Sequence, residues 1–226
     1  TGEFIGIFPD GFKQRWNVNN ETDADDVEFV SLILNTLSHD GLFNLNRIYG
    51  VGISNGAEIV NKIAKEMAVF EGIAPLLRQQ DLALGYTVPP QAVSVFQLNT
   101  TGDTSVPVDG GIGVSDTVFM SAQASARNWA SNFNCLMDPS SRTFMWEDQI
   151  VEEFTFNGCI ENKKVRYLLV ADAGHTLSFG NNVDLFNIIW TFLKSTDRPT
   201  AVNTKLLALG DSYTIGQSVC FSCSFP

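Results

Sequence analysis

Histidine is scarce in this chain: 226 residues contain two, His39 and His175. Chemistry that needs an imidazole must use one of them. Cysteine is also scarce, at four. Cys220 and Cys223 form a C-x-x-C with no second pair or histidine nearby, which argues against zinc. Long apolar runs are missing, and none approaches the roughly 18–20 residues of a membrane span. Basic residues are few and scattered, 14 against 25 acidic, giving a formal net charge of −11. Like charge repels nucleic acid and anionic membrane, so neither is expected as a partner. No Gly-Lys-Ser/Thr follows a glycine-rich turn, so there is no phosphate loop. Asp23, Asp25 and Asp26 lack the glycine and distal glutamate of a calcium loop and read as helix capping. No metal or organic cofactor is expected, and there is no internal repeat. What remains is 44% hydrophobic and 17% charged, enough for one α/β domain with a sizeable core.

Along the chain, Phe4–Phe8 is a continuous apolar run that reads as a buried strand ended by the Pro9-Asp10-Gly11 turn. Asp25 and Glu28 stand at capping-box distance and open a helix with Val27, Val30, Ile33 or Leu34, and Leu37 on one face. His39 falls at its end, where it reads as a surface residue. Phe70–Leu76, Val93–Leu98 and Val165–Val170 read as further strands. Ser121–Phe133 and Val183–Lys194 read as helices, Gly110–Gly113 as a flexible loop. Cys135–Cys159 reads as loop-rich with one alternating piece at Val151–Phe156. Strands alternating with helices predict a mostly parallel sheet flanked by helices.

One stretch stands out. In Arg47–Ile59 a short apolar run meets Gly52-Ile53-Ser54-Asn55-Gly56, and a helical pattern follows through Ile59, Ile63 and Met67. Strand, tight turn and helix form the context in which G-x-S-x-G is a nucleophile elbow. Ser54 would project above the sheet, and the Asn55 N–H would face the oxygen of an attacked carbonyl. A glycine-rich loop with Ser54 as a mere cap is the alternative. A serine nucleophile needs a base, and the base needs an orienting acid. His175 follows a late strand in a Gly174-His175 loop, and Asp103 follows a strand between the two. The order Ser54, Asp103, His175 is that of the α/β-hydrolase fold.

These pieces resemble the polyhydroxybutyrate depolymerase-like and feruloyl esterase-like serine esterases. The likeness rests on FPDG followed by Trp16-Asn17, on DADDVEFVSLIL, RIYGVGISNGAEI and FEGIAPL, and on LNTTGDTSVPVDGG, Trp129, Cys135, Cys159 and AGHTLSFG. It runs from about Phe4 to Leu193. It implies an α/β-hydrolase fold with Ser54 as nucleophile, His175 as general base and acid, and Asp103 as its carboxylate. It also implies a Cys135–Cys159 disulfide, hence an oxidising, secreted or periplasmic setting. Trp16, in the loop after a strand's carboxyl end, is a candidate for lining the substrate pocket, with core packing as the alternative. Two departures touch the site. Asn99-Thr100-Thr101-Gly102 stands where the family has a His-Gly-Thr block, and Leu177-Ser178 stands where Trp-Pro follows the histidine. Asn20-Glu21-Thr22 and Asn99-Thr100-Thr101 match glycan sequons.

Members of that family begin with three more strands, the third lying between those of Phe4–Phe8 and Ile48–Val51 and leading to a second oxyanion amide. The resemblance therefore implies an N-terminally truncated domain with a gap in mid-sheet. The tail Lys205–Val219 resembles the opening block of GDSL (SGNH) hydrolases, with Ser212 lacking the later blocks that would serve it. The expected organisation is a hydrolase domain over residues 1–198 and a tail over 199–226. Its apolar Leu206–Leu209 is a candidate to fill the gap, within one chain or by strand exchange in a homodimer. The expected activity is hydrolysis of short-chain, aryl or polymeric carboxylic esters through an acyl-enzyme. A non-catalytic remnant serving as a binding module is the alternative.

Overall fold

A computed structural model describes residues 4–19, 22–39, 46–180, 183–195 and 206–209. Its centre is an eight-stranded sheet in the order β1-β10-β2-β3-β4-β9-β8-β7. The strands are β1 (Phe4–Ile7), β2 (Ile48–Ile53), β3 (Gly72–Leu76), β4 (Ser94–Thr100), β7 (Ser140–Trp146), β8 (Gln149–Phe156), β9 (Val165–Val170) and β10 (Leu206–Leu209). All pairings from β1 to β9 are parallel, and β8 and β7 continue the sheet antiparallel. The helices are α1 (Asp26–His39), α2 (Asn55–Glu66), a single turn α3 (Leu82–Gly85), α4 (Ala122–Asn132) and α5 (Leu185–Ser195). This is a mostly parallel α/β sheet flanked by helices.

The central strands β3 and β4 are buried at every position, as strands covered on both faces must be. One apolar cluster joins Val30 and Leu34 of α1, Ile59, Val60 and Ile63 of α2, and Trp129 of α4. A second, against α5, joins Tyr49, Leu76, Phe96, Leu98, Ile189 and Phe192. The α1 cap is the expected one, with the Glu28 N–H donating to Asp25 Oδ1 at 2.9 Å. His39 is exposed, its Nδ1 2.7 Å from the Asn35 carbonyl.

Several expectations are corrected. The run from Phe4 is a strand, but Phe4 and Phe8 are 46% and 53% exposed. β1 is the sheet's edge, so it lacks the second neighbour that would bury it. The segment between Cys135 and Cys159 is not loop-rich. Its 140–156 portion is a hairpin of β7 and β8, joined by full antiparallel register from Ser140↔Thr155 to Trp146↔Gln149. Residues 110–113 belong in part to a two-stranded ribbon, β5 (Gly111–Ile112) with β6 (Val118–Phe119). β10 runs parallel between β1 and β2, with Leu207 opposite Ile5 and Ile48. Ser212 and the rest of the tail beyond residue 209 lie outside the described residues, as does Asn20 of the first sequon.

Cys135 and Cys159 are disulfide-bonded, 24 residues apart. The bond ties the end of α4 to the connection after β8. Closing such a loop stabilises by about 3–4 kcal/mol on the chain-entropy estimate.

Lys65 is an unusual core residue at 2% exposure. Its Nζ donates to the Thr87 carbonyl at 2.8 Å and to Asn128 Oδ1 at 3.1 Å, and lies 4.3 Å from the Trp129 ring centroid. Burial pulls its pKa down to about 8 from 10.5. Between those values the unfolded chain binds more protons, so this group makes stability rise with pH. In urea unfolding of wild type and Lys65→Met at pH 7 to 10, wild type gains about 2–3 kcal/mol relative to the variant.

Candidate active site

β2 delivers its last residue to the carboxyl edge of the sheet, where the chain reverses into α2. Ser54 sits at the reversal with φ 54° and ψ −117°, a conformation that L-residues rarely adopt. Its N–H donates to the Leu76 carbonyl at 2.9 Å, and its carbonyl accepts from the Ala57 and Glu58 amides. The turn is this tight because Gly52 has no side chain. A Cβ there would stand 2.0 Å from the Gly56 carbonyl oxygen. Gly52→Ala must displace backbone, and we expect a loss of about 3 kcal/mol or more, read as a lower denaturation midpoint.

The loops after β4 and β9 bring the other two groups. They are stitched together by backbone: the Gly102 N–H donates to the Ala173 carbonyl at 2.9 Å, and the Thr101 N–H to that of Val170 at 3.0 Å. Thr100 Oγ1 donates to the Gly174 carbonyl at 2.8 Å. On this frame His175 Nδ1 lies 2.6 Å from Asp103 Oδ2, and His175 Nε2 lies 2.9 Å from Ser54 Oγ. The three residues, 121 positions apart at their extremes, thus form one continuous hydrogen-bonded chain.

Asp103 is 6% exposed and fully engaged. Its second oxygen accepts from the Ser105 and Val106 amides, both at 2.9 Å. Burial alone would raise its carboxyl. The hydrogen bond to His175, the Val106 amide, the imidazole's charge and the Ser105 amide together hold it below the ordinary carboxylate range. An ionised carboxylate only accepts, so Nδ1 carries the proton and Nε2 is left to accept from the Ser54 hydroxyl.

Asn55 follows the serine, and its N–H engages no loop or turn acceptor among the described residues. Its side chain grips the Trp16 peptide on both sides, accepting from the Trp16 N–H at 2.7 Å and donating to its carbonyl at 3.2 Å. The Trp16 indole is 4% exposed and belongs to the α1–α2 core cluster. The core-packing alternative describes this side chain, and the residue's tie to the site is its backbone.

Sequence reasoning passed over the groups that brace this arrangement. Glu58, one turn into α2, pairs with Arg78 at 2.6 Å, both nearly enclosed. Burial raises Glu58, with Arg78 opposing; burial lowers Arg78, with Glu58 opposing. An amide relay lies beside the Asp103 loop. Asn99 Nδ2 donates to Gln79 Oε1 at 2.8 Å, and Gln79 Nε2 donates to the Pro107 and Met120 carbonyls. Gln97 joins Asn99 to Ser125. Asn99 is 2% exposed, so its sequon cannot be read as a glycan site. Its side chain is instead a link in this relay. Charged and amide residues inside the apolar stretch FEGIAPLLRQQ were the available signal.

The fold and the site's geometry define an α/β protein with a serine, a histidine and an aspartate in one hydrogen-bonded line. No family model matches the chain. It is 26% identical over 208 residues to feruloyl esterase B of Piromyces equi, an alignment that covers 86% of this chain and 37% of that protein. The chain is thus distantly related to an esterase and spans well under half of its relative's length. Among the described residues no group of histidine, cysteine, aspartate or glutamate could hold a metal ion, and no helix is long and apolar enough to cross a membrane.

Proposed function

We propose that the protein is a serine carboxylic-ester hydrolase with the α/β-hydrolase fold, acting through an acyl-enzyme on short-chain or aryl esters. The observation that carries this is the Ser54–His175–Asp103 line, with the serine on a strained elbow. His175 Nε2 takes the hydroxyl proton as Ser54 Oγ attacks the ester carbonyl. The Asn55 N–H stabilises the resulting oxyanion, where one such donor is worth about 10²–10³ in rate. His175 then gives its proton to the leaving alkoxide, and the alcohol departs. Water, deprotonated by the same imidazole, releases the acid. Asp103 keeps the ring in its required tautomer and remains ionised throughout.

Residues 1–198 would form the hydrolase domain, with residues 199–226 lending it a strand. The disulfide supports a secreted or periplasmic setting. Polyester and plant-wall esters are the polymeric candidates that the resemblance adds.

The test is turnover of p-nitrophenyl acetate and butyrate, combined with fluorophosphonate labelling. The expected result is saturable turnover and a single adduct on the Ser54 peptide. Background turnover without an adduct rejects the esterase and leaves the binding-module alternative.

A further inference from the structure

In a nucleophile elbow the residue after the serine is used for its N–H, which any residue but proline supplies. Here its side chain is committed as well. Asn55 Oδ1 accepts from the Trp16 N–H at 2.7 Å. Nδ2 donates to the Trp16 carbonyl at 3.2 Å and, more weakly, to Glu58 Oε2 at 3.4 Å. Only one orientation of the carboxamide fits, because the reverse sets its amide against the Trp16 N–H, donor to donor.

Both ends of this clamp are fixed. The Trp16 indole is packed in the α1–α2 core, so its peptide is held. Glu58 is 5% exposed and is met by three donors: Asn55 Nδ2, Asn19 Nδ2 at 3.3 Å and Arg78 at 2.6 Å. An ionised carboxylate only accepts, so it suits that position. Arg78 in turn stands two residues beyond β3. The carboxamide thus joins the loop after β1 to the groups behind the elbow.

The 54–55 peptide carries both the Ser54 carbonyl and the Asn55 N–H. Its carbonyl end is held by the Ala57 and Glu58 amides at 3.0 and 3.2 Å. It adjoins Ser54, whose φ of 54° and ψ of −117° store backbone strain. Strain of this kind is relieved by rotating the neighbouring peptide plane, which would swing the N–H away from a developing oxyanion. We propose that the Asn55 carboxamide, backed by Glu58, is the positioning group that opposes this rotation and keeps the N–H aimed. The side chain fixes the Asn55 Cα, and with it the nitrogen end of the plane. The inference deepens the proposed function and rests on it, since aim matters only where an oxyanion forms.

The signature is kinetic. A ground-state ester carbonyl draws little on the N–H, whereas the tetrahedral oxyanion depends on it. A misaimed donor therefore lowers kcat and spares KM. A clamp that merely packed a loop would instead lower the folded fraction and leave each folded molecule's turnover alone. The back of the clamp has its own consequence: what Asn55 needs from residue 58 is an acceptor, not a charge. A glutamine there, with Arg78 made neutral, supplies one, whereas a methionine does not.

The experiment measures kcat and KM for p-nitrophenyl butyrate per serine titrated to completion by a fluorophosphonate. It also measures affinity for an aryl trifluoromethyl ketone, whose serine adduct carries the oxyanion. Asn55→Ala should lower kcat by about 10–100-fold, short of the roughly 10²–10³ for losing the donor outright, with KM within about twofold. Ketone affinity should fall by the same factor. Glu58→Met combined with Arg78→Met removes both buried charges together, which keeps the fold. It should lower kcat about tenfold, the worth of one hydrogen bond. Glu58→Gln combined with Arg78→Met should restore most of that loss. Unchanged kcat per titrated serine in Asn55→Ala, or equal kcat in the two double variants, overturns the positioning role while the esterase reading stands. A wild type with neither turnover nor labelling sinks that reading and this role together.

Discussion

Replacing Ser54 with glycine should cut turnover of p-nitrophenyl butyrate by about 10⁶ and at the same time stabilise the fold. The loss follows because, among the described residues, Ser54 Oγ is the oxygen that bonds His175 Nε2 in line with Asp103. The gain follows from the backbone. At φ 54° and ψ −117° a side chain is strained, and glycine is not. Relief of about 1–3 kcal/mol should exceed the lost Ser54–His175 hydrogen bond, worth about 1 kcal/mol. The melting temperature then rises by about 2–4 °C for each net kcal/mol. Ser54→Ala is the informative control, because it removes the oxygen but keeps the strain. It should be equally inactive without the stabilisation. Equal melting temperatures for the two variants would show that the elbow holds no releasable strain.

Asp103→Asn should lower kcat by about 10⁴ while leaving KM within a fewfold. An asparagine amide in this position donates to Nδ1 instead of accepting from it. The ring then carries its proton on Nε2, where it meets the Ser54 hydroxyl donor to donor and can take no proton. The same substitution has an acid-side signature. The carboxyl titrates below its ordinary 3.8 in the folded state. Its contribution to stability is therefore complete above that value and disappears as pH falls through the lower folded value. The variant lacks this contribution, so its stability should fall less steeply below pH 4. A parallel acid limb in both proteins would contradict the assignment of that low titration to Asp103.

The sequence and the structure agree where local chemistry dictates the geometry. Gly52 and Gly56 around Ser54 announce a tight reversal, because only a missing Cβ permits that approach. His175 is legible because there are two histidines and one of them ends a surface helix. The hairpin of β7 and β8 was hidden for a different reason. Six of the seven residues of β7 are exposed or half-exposed, so the strand has little alternation to read. The two-residue strands β5 and β6 are too short for any period. The Gln79–Asn99–Gln97 relay and the Glu58–Arg78 pair are relations between distant segments, and no window of sequence contains them. For Trp16 the sequence leaves pocket lining and core packing both open, and only burial separates them. A large aromatic beside a site attracts a substrate role, whereas the indole is spent on the core and the peptide does the anchoring.

The strand order has a consequence for biosynthesis. The first described strand and the second meet only through residues 206–209. On the ribosome, β2, β3 and β4 can associate as they emerge, whereas β1 pairs with a described strand only once residues 206–209 have left the exit tunnel. Until then two apolar rims with open amides face the cytosol or the translocation machinery. The strand pairing of longest sequence separation among the described residues is therefore the last to form. Ribosome-bound chains whose residues 206–209 are still inside the tunnel should be selectively held by chaperones that recognise extended apolar segments, and extension behind them that brings residues 206–209 out of the tunnel should release them.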